Sequence, residues 1–296
     1  MIVIDWGTTN LRAYLCHKDG TILARESSPR GIKSLNRAEY PLVLSELISS
    51  FTGQETEPVI ISGMAGSKNG WIEAPYCQVP VSLAELGQGL IELPDNFPGY
   101  MVPGIKVVKS DQSSDVIRGE EIQVFGALAY LRLDSGVFCL PGTHSKWVQV
   151  SRACVTDFLT YMTGDVFQGL GQTILGCSSK DPFSSDAFVT GLNTATTSGC
   201  GLLHQLFTGR TRMLDGSLQE KDVSSFVSGL LIGHELNEAI AFVTTDDPVV
   251  VIGSDQLSEH YLMALKTRGI PAVSLGGDIA TCKGIAALLA CKESLP

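Results

Sequence analysis

Near the start of the chain the apolar residues Ile2, Val3 and Ile4 run into Asp5, Gly7, Thr8, Thr9, Asn10 and Arg12. These types in this order suit a hairpin that holds phosphate. Gly7 lets the turn tighten until backbone N–H groups face an anion, Thr8, Thr9 and Asn10 add side-chain donors, and Arg12 adds a cation. Asp5 is placed to hold Mg²⁺ through the ion's water shell. From Val137 the pattern returns as Val-Phe-Cys-Leu-Pro141, then Gly142, Thr143, His144, Ser145 and Lys146, then an alternating strand to Val150. Leu140 stands where the first copy has Asp5, so a metal-associated acid is expected from the first copy only. Two such turns half a chain apart point to ATP, with both converging on one triphosphate.

The elements that would carry these turns read as a duplication. Strands are expected at 1–6, 10–17 and 20–27, a helix near 39–51 and a strand at 58–62, which is the order of a ribonuclease-H-like domain. Residues 94–104 read as a loop-rich insertion and 109–114 as a polar loop. A helix over about 118–132 follows, with Ile122, Phe125, Ala129 and Leu133 at helical spacing. It starts with Glu120 and Glu121, an acidic pair that a helix N-terminus favours on electrostatic grounds alone. The strand trio recurs at 136–141, 144–150 and 153–160, and from 164 to 242 the chain is strongly helical. Val249 to Gly253 reads as a fully buried parallel strand, with Ser254 and Asp255 set to cap the helix that runs to Arg268. A last strand at 271–275 and a helix from Asp278 complete the reading.

Length and composition agree with an α/β protein of two domains: 296 residues, 44% hydrophobic and 18% charged, suffice for large cores. The expected division is 1–117, an inter-domain helix at 118–135, and 136–296. A formal charge of −10 without a basic cluster excludes a nucleic-acid or anionic-membrane surface. An acidic protein that binds ATP must place a few cations locally, and Arg12, Lys68, Arg118 and Lys146 lie near glycine-rich segments. Eight scattered cysteines show no zinc spacing and read as small buried side chains. No signal-peptide pattern is seen, nor an apolar run near the roughly 20 residues that cross a bilayer, so a cytoplasmic protein is expected.

The paired turns resemble those of the actin and hexokinase superfamily, in which two ribonuclease-H-like domains close on an ATP cleft between them. A narrower resemblance rests on several stretches together. These are Asp5 to Arg12, Gly63 to Trp71 with Ala74-Pro75-Tyr76, Arg118-Gly119-Glu120-Glu121 with Gln123, Pro141 to Trp147, and Tyr161 to Gly164, supported by 184–193 and 226–234. They are similar to the 2-dehydro-3-deoxygalactonokinase family of bacterial D-galactonate breakdown.

That resemblance implies transfer of the ATP γ-phosphoryl group to the 6-hydroxyl of 2-dehydro-3-deoxy-D-galactonate, with Mg²⁺ as cofactor. The reaction asks for alignment, charge neutralisation and a carboxylate base. The base is expected at Glu120 or Glu121, only one of which can face the cleft since adjacent helical residues diverge by about 100°. Glu121 is preferred, and Asp111 and Asp115 compete from the preceding loop. The loop at Gly253 and Ser254 is expected to contact adenosine, as the loop after that strand does in the superfamily. Sugar-acid recognition falls to the segment from Gly63 to Tyr76, with Gly66, Ser67, Lys68, Trp71 and Tyr76 as contacts, together with Arg118 and Thr163. Arg30 or Lys68 is expected to meet the carboxylate, and Thr143 and His144 to reach the same cleft.

Asp165 stands where the family pattern has glutamate, and Gly171-Gln172-Thr173 where it has histidine and serine, changes that bear on galacto against gluco specificity. The alternatives are a kinase for another sugar or sugar acid, and a non-catalytic ATP-switched binding protein. The resemblance also implies a homodimer.

Overall fold

A computed structural model describes residues 1–51, 57–95, 97–197, 199–243 and 247–293. The first half holds β1 (Ile2–Trp6), β2 (Leu11–Cys16), β3 (Ile22–Ser28), α1 (Tyr40–Ser49), β4 (Val59–Gly63), β5 (Tyr76–Gln78), β6 (Val81–Ser82) and α2 (Leu83–Gln88). It continues through β7 (Ile91–Glu92), β8 (Gly99–Met101), β9 (Gly104–Val108), β10 (Ser114–Ile117) and α3 (Glu120–Leu131). The second half holds β11 (Gly136–Leu140), β12 (Ser145–Ser151), β13 (Cys154–Tyr161), α4 (Thr163–Leu170), α5 (Ser185–Thr194) and α6 (Leu202–Leu214). It ends with α7 (Val223–Ala239), β14 (Val249–Gly253), α8 (Asp255–Thr267), β15 (Ala272–Gly276) and α9 (Gly277–Glu293).

One six-stranded sheet has the order β3-β2-β1-β4-β8-β7, another β15-β14-β11-β12-β13-β6, and a small sheet pairs β10, β9 and β5. The first four strands, β3-β2-β1-β4, correspond in order to β13-β12-β11-β14, so the duplicated turns sit at equivalent corners of two equivalent sheets. The chain forms two compact units: Met1–Gly136 with Val148–Phe158 and Leu275–Pro296, and Val137–Trp147 with Leu159–Ser274. They cut across the expected division by chain order, because α9 packs on α3 and so joins the first unit.

In the first unit β1 pairs antiparallel with β2 and parallel with β4, and every residue of β4 is buried. Its core includes a chain of rings: Trp6 lies 4.9 Å from Tyr40, Tyr40 stacks on Trp71 at 6.0 Å, and Trp71 meets Phe97 edge-on at 5.9 Å. Trp6 also donates from Nε1 to the Arg30 carbonyl at 3.0 Å. The residue before Gly7 is thereby fixed, and the turn is built on a rigid base. On α3 the buried face is broader than spacing alone suggested, running from Glu121 to Leu128 except for Gln123, whereas Ala129 and Leu133 are exposed.

In the second unit β14 runs parallel with β11 through Phe138↔Val250 and Cys139↔Val251, as a buried apolar strand requires. Ser254 is the N-cap residue of α8, but its side chain makes no capping bond among the described residues, a departure from the expected cap. The cysteines also differ in part from expectation: Cys16, Cys139, Cys177 and Cys282 are buried, but Cys200 is exposed. Among the described residues no helix is long and apolar enough to cross a membrane.

Each unit locks one helix pair through reciprocal glycines. A methyl group on Gly126 of α3 would stand 1.8 Å from the Ala280 carbonyl oxygen of α9, and one on Gly284 would stand 2.0 Å from that of Ile122. In the second unit a methyl on Gly229 of α7 would stand 2.0 Å from the Phe188 oxygen of α5, and one on Gly191 2.0 Å from that of Phe226. Gly169 in α4 has nothing within 4 Å of such a methyl among the described residues. Gly229→Ala is therefore expected to lose about 1–3 kcal/mol or more through overpacking, where Gly169→Ala gains up to about 1 kcal/mol from helix propensity. Urea unfolding of the two variants beside the wild type checks both signs.

Candidate active site

In the first unit the register of β1 sets Asp5 opposite Arg12 on β2 and beside Ser62 on β4. The Arg12 guanidinium donates to the Asp5 carboxylate at 3.2 Å. Next to this pair two left-handed glycines meet, Gly63 at φ 93° closing β4 and Gly119 at φ 103° opening α3. A methyl on Gly119 would lie 3.2 Å from the Gly63 Cα, and one on Gly63 would lie 2.8 Å from the Trp6 carbonyl oxygen and 3.4 Å from an Asp5 oxygen. Only glycine permits both the backbone angle and this approach. The start of α3, with Glu120, is thereby drawn to the end of β1.

Burial pushes the Asp5 carboxyl above the usual carboxylate range, Arg12 pulls it back, and the Glu120 charge adds to the rise. A carboxylate whose ionisation is opposed by burial and by a second acid suits a divalent cation held through water. Among the described residues no group of three or more metal-ligating side chains exists. Asp5, a single carboxylate before the turn, fits Mg²⁺ held through the ion's water shell.

The acidic pair at the start of α3 divides. Glu120 is half-buried, and its carboxylate accepts from the Arg118 N–H at 3.0 Å. Glu121 is fully buried and turns both oxygens to the Gly119 N–H at 2.9 and 2.7 Å. Its carboxyl is pushed up to about 8 by burial first and by the Glu120 charge second. Asp111 is exposed and bonds Ser113 within its own turn, and Asp115 accepts from the Val116 N–H.

The two turns share one hydrogen-bond logic. The carbonyls of Gly7, Thr8 and Thr9 accept from Ile32, Lys33 and Gly31. Among the described residues the N–H groups of Thr8, Thr9 and Asn10 make no hydrogen bond. In the second unit the Thr143 carbonyl accepts from the Asp165 N–H at 3.0 Å and that of His144 from Lys146 Nζ at 2.6 Å, again with no hydrogen bond from the Thr143 and His144 N–H groups among the described residues. Carbonyls occupied and amides unclaimed make a nest for an anion. Gly142 lies against Gly164, and Gly253 lies near Pro141, so the second unit gathers its three glycine corners.

Sequence reading missed Glu235. Its buried carboxylate accepts from Ser145 Oγ at 2.7 Å, Trp147 Nε1 at 2.8 Å, Tyr261 Oη at 2.8 Å and Thr163 Oγ1. Burial raises its carboxyl, and the donated hydrogen bonds pull it down. Ser145 and Thr163, expected at ATP and substrate, thus direct their hydroxyls to Glu235 beneath the turn. A lone acid on the apolar face of α7 was the available signal. His144 Nε2 lies 2.6 Å from Asp165 Oδ2.

Of the sugar-acid segment, Trp71 is a core residue, Lys68 is exposed, and Ser67 and Gly66 are buried. Arg30 pairs with Glu46 at 2.7 Å. Tyr76 is exposed, with the buried Arg118 guanidinium 4.3 Å from its ring centre.

A model of the 2-keto-3-deoxy-galactonokinase family matches residues 5–288. The chain belongs to this family. It is 35% identical over 286 residues to the 2-dehydro-3-deoxygalactonokinase of Escherichia coli K12, covering 96% of this chain and 95% of the relative. The crystal structure of a Sinorhizobium meliloti protein assigned as a 2-dehydro-3-deoxygalactonokinase superposes with a TM-score of 0.90 at 32% identity, covering 99% of each chain. The activator of 2-hydroxyisocaproyl-CoA dehydratase from Clostridium difficile, solved with ADPNP, superposes at 0.56 with 12% identity over 99% of this chain and 94% of that one. That likeness is one of fold, the two-domain architecture of actin- and hexokinase-like ATPases. This galactonokinase-family member is a sugar-acid kinase that uses ATP.

Two outcomes follow for its carboxylates. Because the Glu121 carboxyl rises on folding, its contribution is complete below the unfolded value near 4.3 and is lost as pH climbs through about 8. Glu121→Gln removes this loss, so its melting temperature should gain on the wild type steadily between pH 5 and pH 8.5 (a range set by the roughly 4.3 unfolded value). Glu235→Ala strands three buried donors and one half-buried one and is expected to cost about 3–5 kcal/mol in urea unfolding.

Proposed function

We propose that this kinase transfers the γ-phosphoryl group of ATP to the 6-hydroxyl of 2-dehydro-3-deoxy-D-galactonate, with Glu120 as the base that takes the hydroxyl proton. The observation that carries this reading is the cluster of Asp5, Arg12 and Glu120 at the glycine contact in a chain matched along residues 5–288 by the kinase family. Glu120 is favoured over Glu121 by access, since Glu121 is sealed in the core with both oxygens on a backbone N–H. Asp111 spends its carboxylate on Ser113 within its own turn, and that of Asp115 accepts from Val116 in β10.

The chemistry asks the protein mainly to align the reactants and neutralise charge. The turn from Gly7 to Asn10 holds phosphate oxygens with its unclaimed amides, and the turn from Gly142 to Lys146 presents a nest of the same kind. Arg12 orients Asp5 and adds positive charge. Asp5 would hold Mg²⁺ through water, an ion whose chemistry here is to offset the charge of the polyphosphate. Glu120 accepts the proton from the sugar hydroxyl as the oxygen attacks the γ-phosphorus, and the bond to the ADP oxygen breaks. The segment from Gly63 to Tyr76 binds the sugar acid. The supply of an unphosphorylated six-carbon acid and the use of its 6-phosphate place the reaction in galactonate catabolism.

A coupled ADP assay with MgATP and 2-dehydro-3-deoxy-D-galactonate tests the reading. Glu120→Gln should lower kcat by about 10²–10⁴-fold with little change in nucleotide affinity, and Glu121→Gln should retain most of it. Equal turnover in wild type and Glu120→Gln would remove Glu120 from the role. Turnover of the C4 epimer alone would keep the mechanism and change the substrate.

A further inference from the structure

Arg118 is a buried cation whose bonding is incomplete. It follows β10 and precedes Gly119, is 6% exposed, and donates from Nη2 to the Ala74 carbonyl at 2.8 Å and, more weakly, to that of Pro75 at 3.5 Å. Its Nε and Nη1 have no hydrogen-bond partner among the described residues. The buried Ser67 Oγ, one residue beyond Gly66, has none there either. A methyl on Gly66 would stand 2.9 Å from Arg118 Nη1, so the segment that carries Ser67 runs directly beside the guanidinium. Two unsatisfied polar groups on neighbouring buried side chains are costly, each by about 1–3 kcal/mol and more for the charged one. Such a cost persists in a folded protein when a ligand relieves it.

We infer that the Nε and Nη1 edge of Arg118, with Ser67 Oγ, receives the C1 carboxylate of the sugar acid, and that this contact selects acids over neutral sugars. The inference rests on the kinase reading above. A guanidinium edge matches a carboxylate with two parallel hydrogen bonds, whereas a sugar hydroxyl fills only one. The cations expected to meet the carboxylate are placed differently, because Arg30 is paired with Glu46 and Lys68 points into solvent. The backbone N–H of Arg118 donates to the Glu120 carboxylate at 3.0 Å, so the residue adjoins the proposed base. Tyr76 lies over the guanidinium, 4.3 Å from ring centre to Cζ, and is itself 42% exposed, so one wall of the Arg118 site borders solvent.

The test compares the acid with its neutral C1 amide, using the full-length protein with MgATP. Wild type should prefer the acid by about 100-fold in kcat/KM, the worth of a charge-assisted pair. Arg118→Gln should bring that ratio within about fivefold, with the loss confined to the acid and seen mainly in KM, and Ser67→Ala should lower it in the same direction. Parallel loss for acid and amide in Arg118→Gln would overturn the inference, because a residue that only braces Ala74 and Pro75 affects both alike. Should Arg118→Gln fail to fold, an unchanged ratio in both Arg118→Lys and Ser67→Ala overturns it instead. Wild type that turns over the amide as well as the acid refutes acid selection while leaving the kinase reading intact, and wild type inert toward both refutes the kinase reading and this inference with it.

Discussion

The backbone contact between Gly63 and Gly119 is the constraint on which the corner of Asp5, Arg12 and Glu120 depends. Strand β4 ends at one glycine and helix α3 begins at the other, and neither backbone angle is open to an ordinary side chain. Any Cβ at this point would hold the helix away from the sheet, and Glu120 would leave the neighbourhood of Asp5. The parallel pairing of β1 with β4 then adds Asp5, and the antiparallel pairing of β1 with β2 adds Arg12. Three charges from three separate elements thus share one corner without any being carried on a long loop.

The two units solve the same problem with opposite uses of a carboxylate. In the first, Asp5 stands at the end of the strand before the turn and faces the outer charges. In the second, Leu140 takes that strand position, and the acid comes instead from α7 as Glu235, underneath the turn. There it satisfies four side-chain donors from β12, α4 and α8. Hydrogen bonds donated to this carboxylate favour the anion while burial opposes it, and burial is the larger effect on its proton affinity. The result is a second turn braced from within by charge, where the first is braced by the rings of Trp6 and Tyr40.

Much of this was legible in the residues. The strands around both turns are apolar runs cut by glycine and hydroxyl residues, and their observed limits fall within two residues of those expected. The three-stranded sheet of β5, β9 and β10 was not legible, since its strands of three to five residues lie among prolines and glycines and offer no clear alternation. Asp5, Arg12 and the acidic pair could be singled out by type, but which glutamate faces the site is decided by the phase that Gly119 gives to α3. Arg118 and Lys146 could be singled out as cations near glycine-rich segments, but not that each is only 6% exposed, because burial of a long side chain is fixed by what packs over it. Glu235 was hidden for the converse reason: its partners lie 26 to 90 residues away along the chain.

The placement of the indoles has an optical consequence. The chain has three tryptophans, and each adjoins a segment with a distinct role, since Trp6 precedes the first turn, Trp71 ends the stretch that holds Ser67, and Trp147 follows Lys146. None is more than 7% exposed, so emission should be short in wavelength and insensitive to quenchers in bulk solvent. Variants that retain one indole each would convert the protein's own fluorescence into separate reporters of the two glycine-threonine turns and of the stretch that carries Ser67.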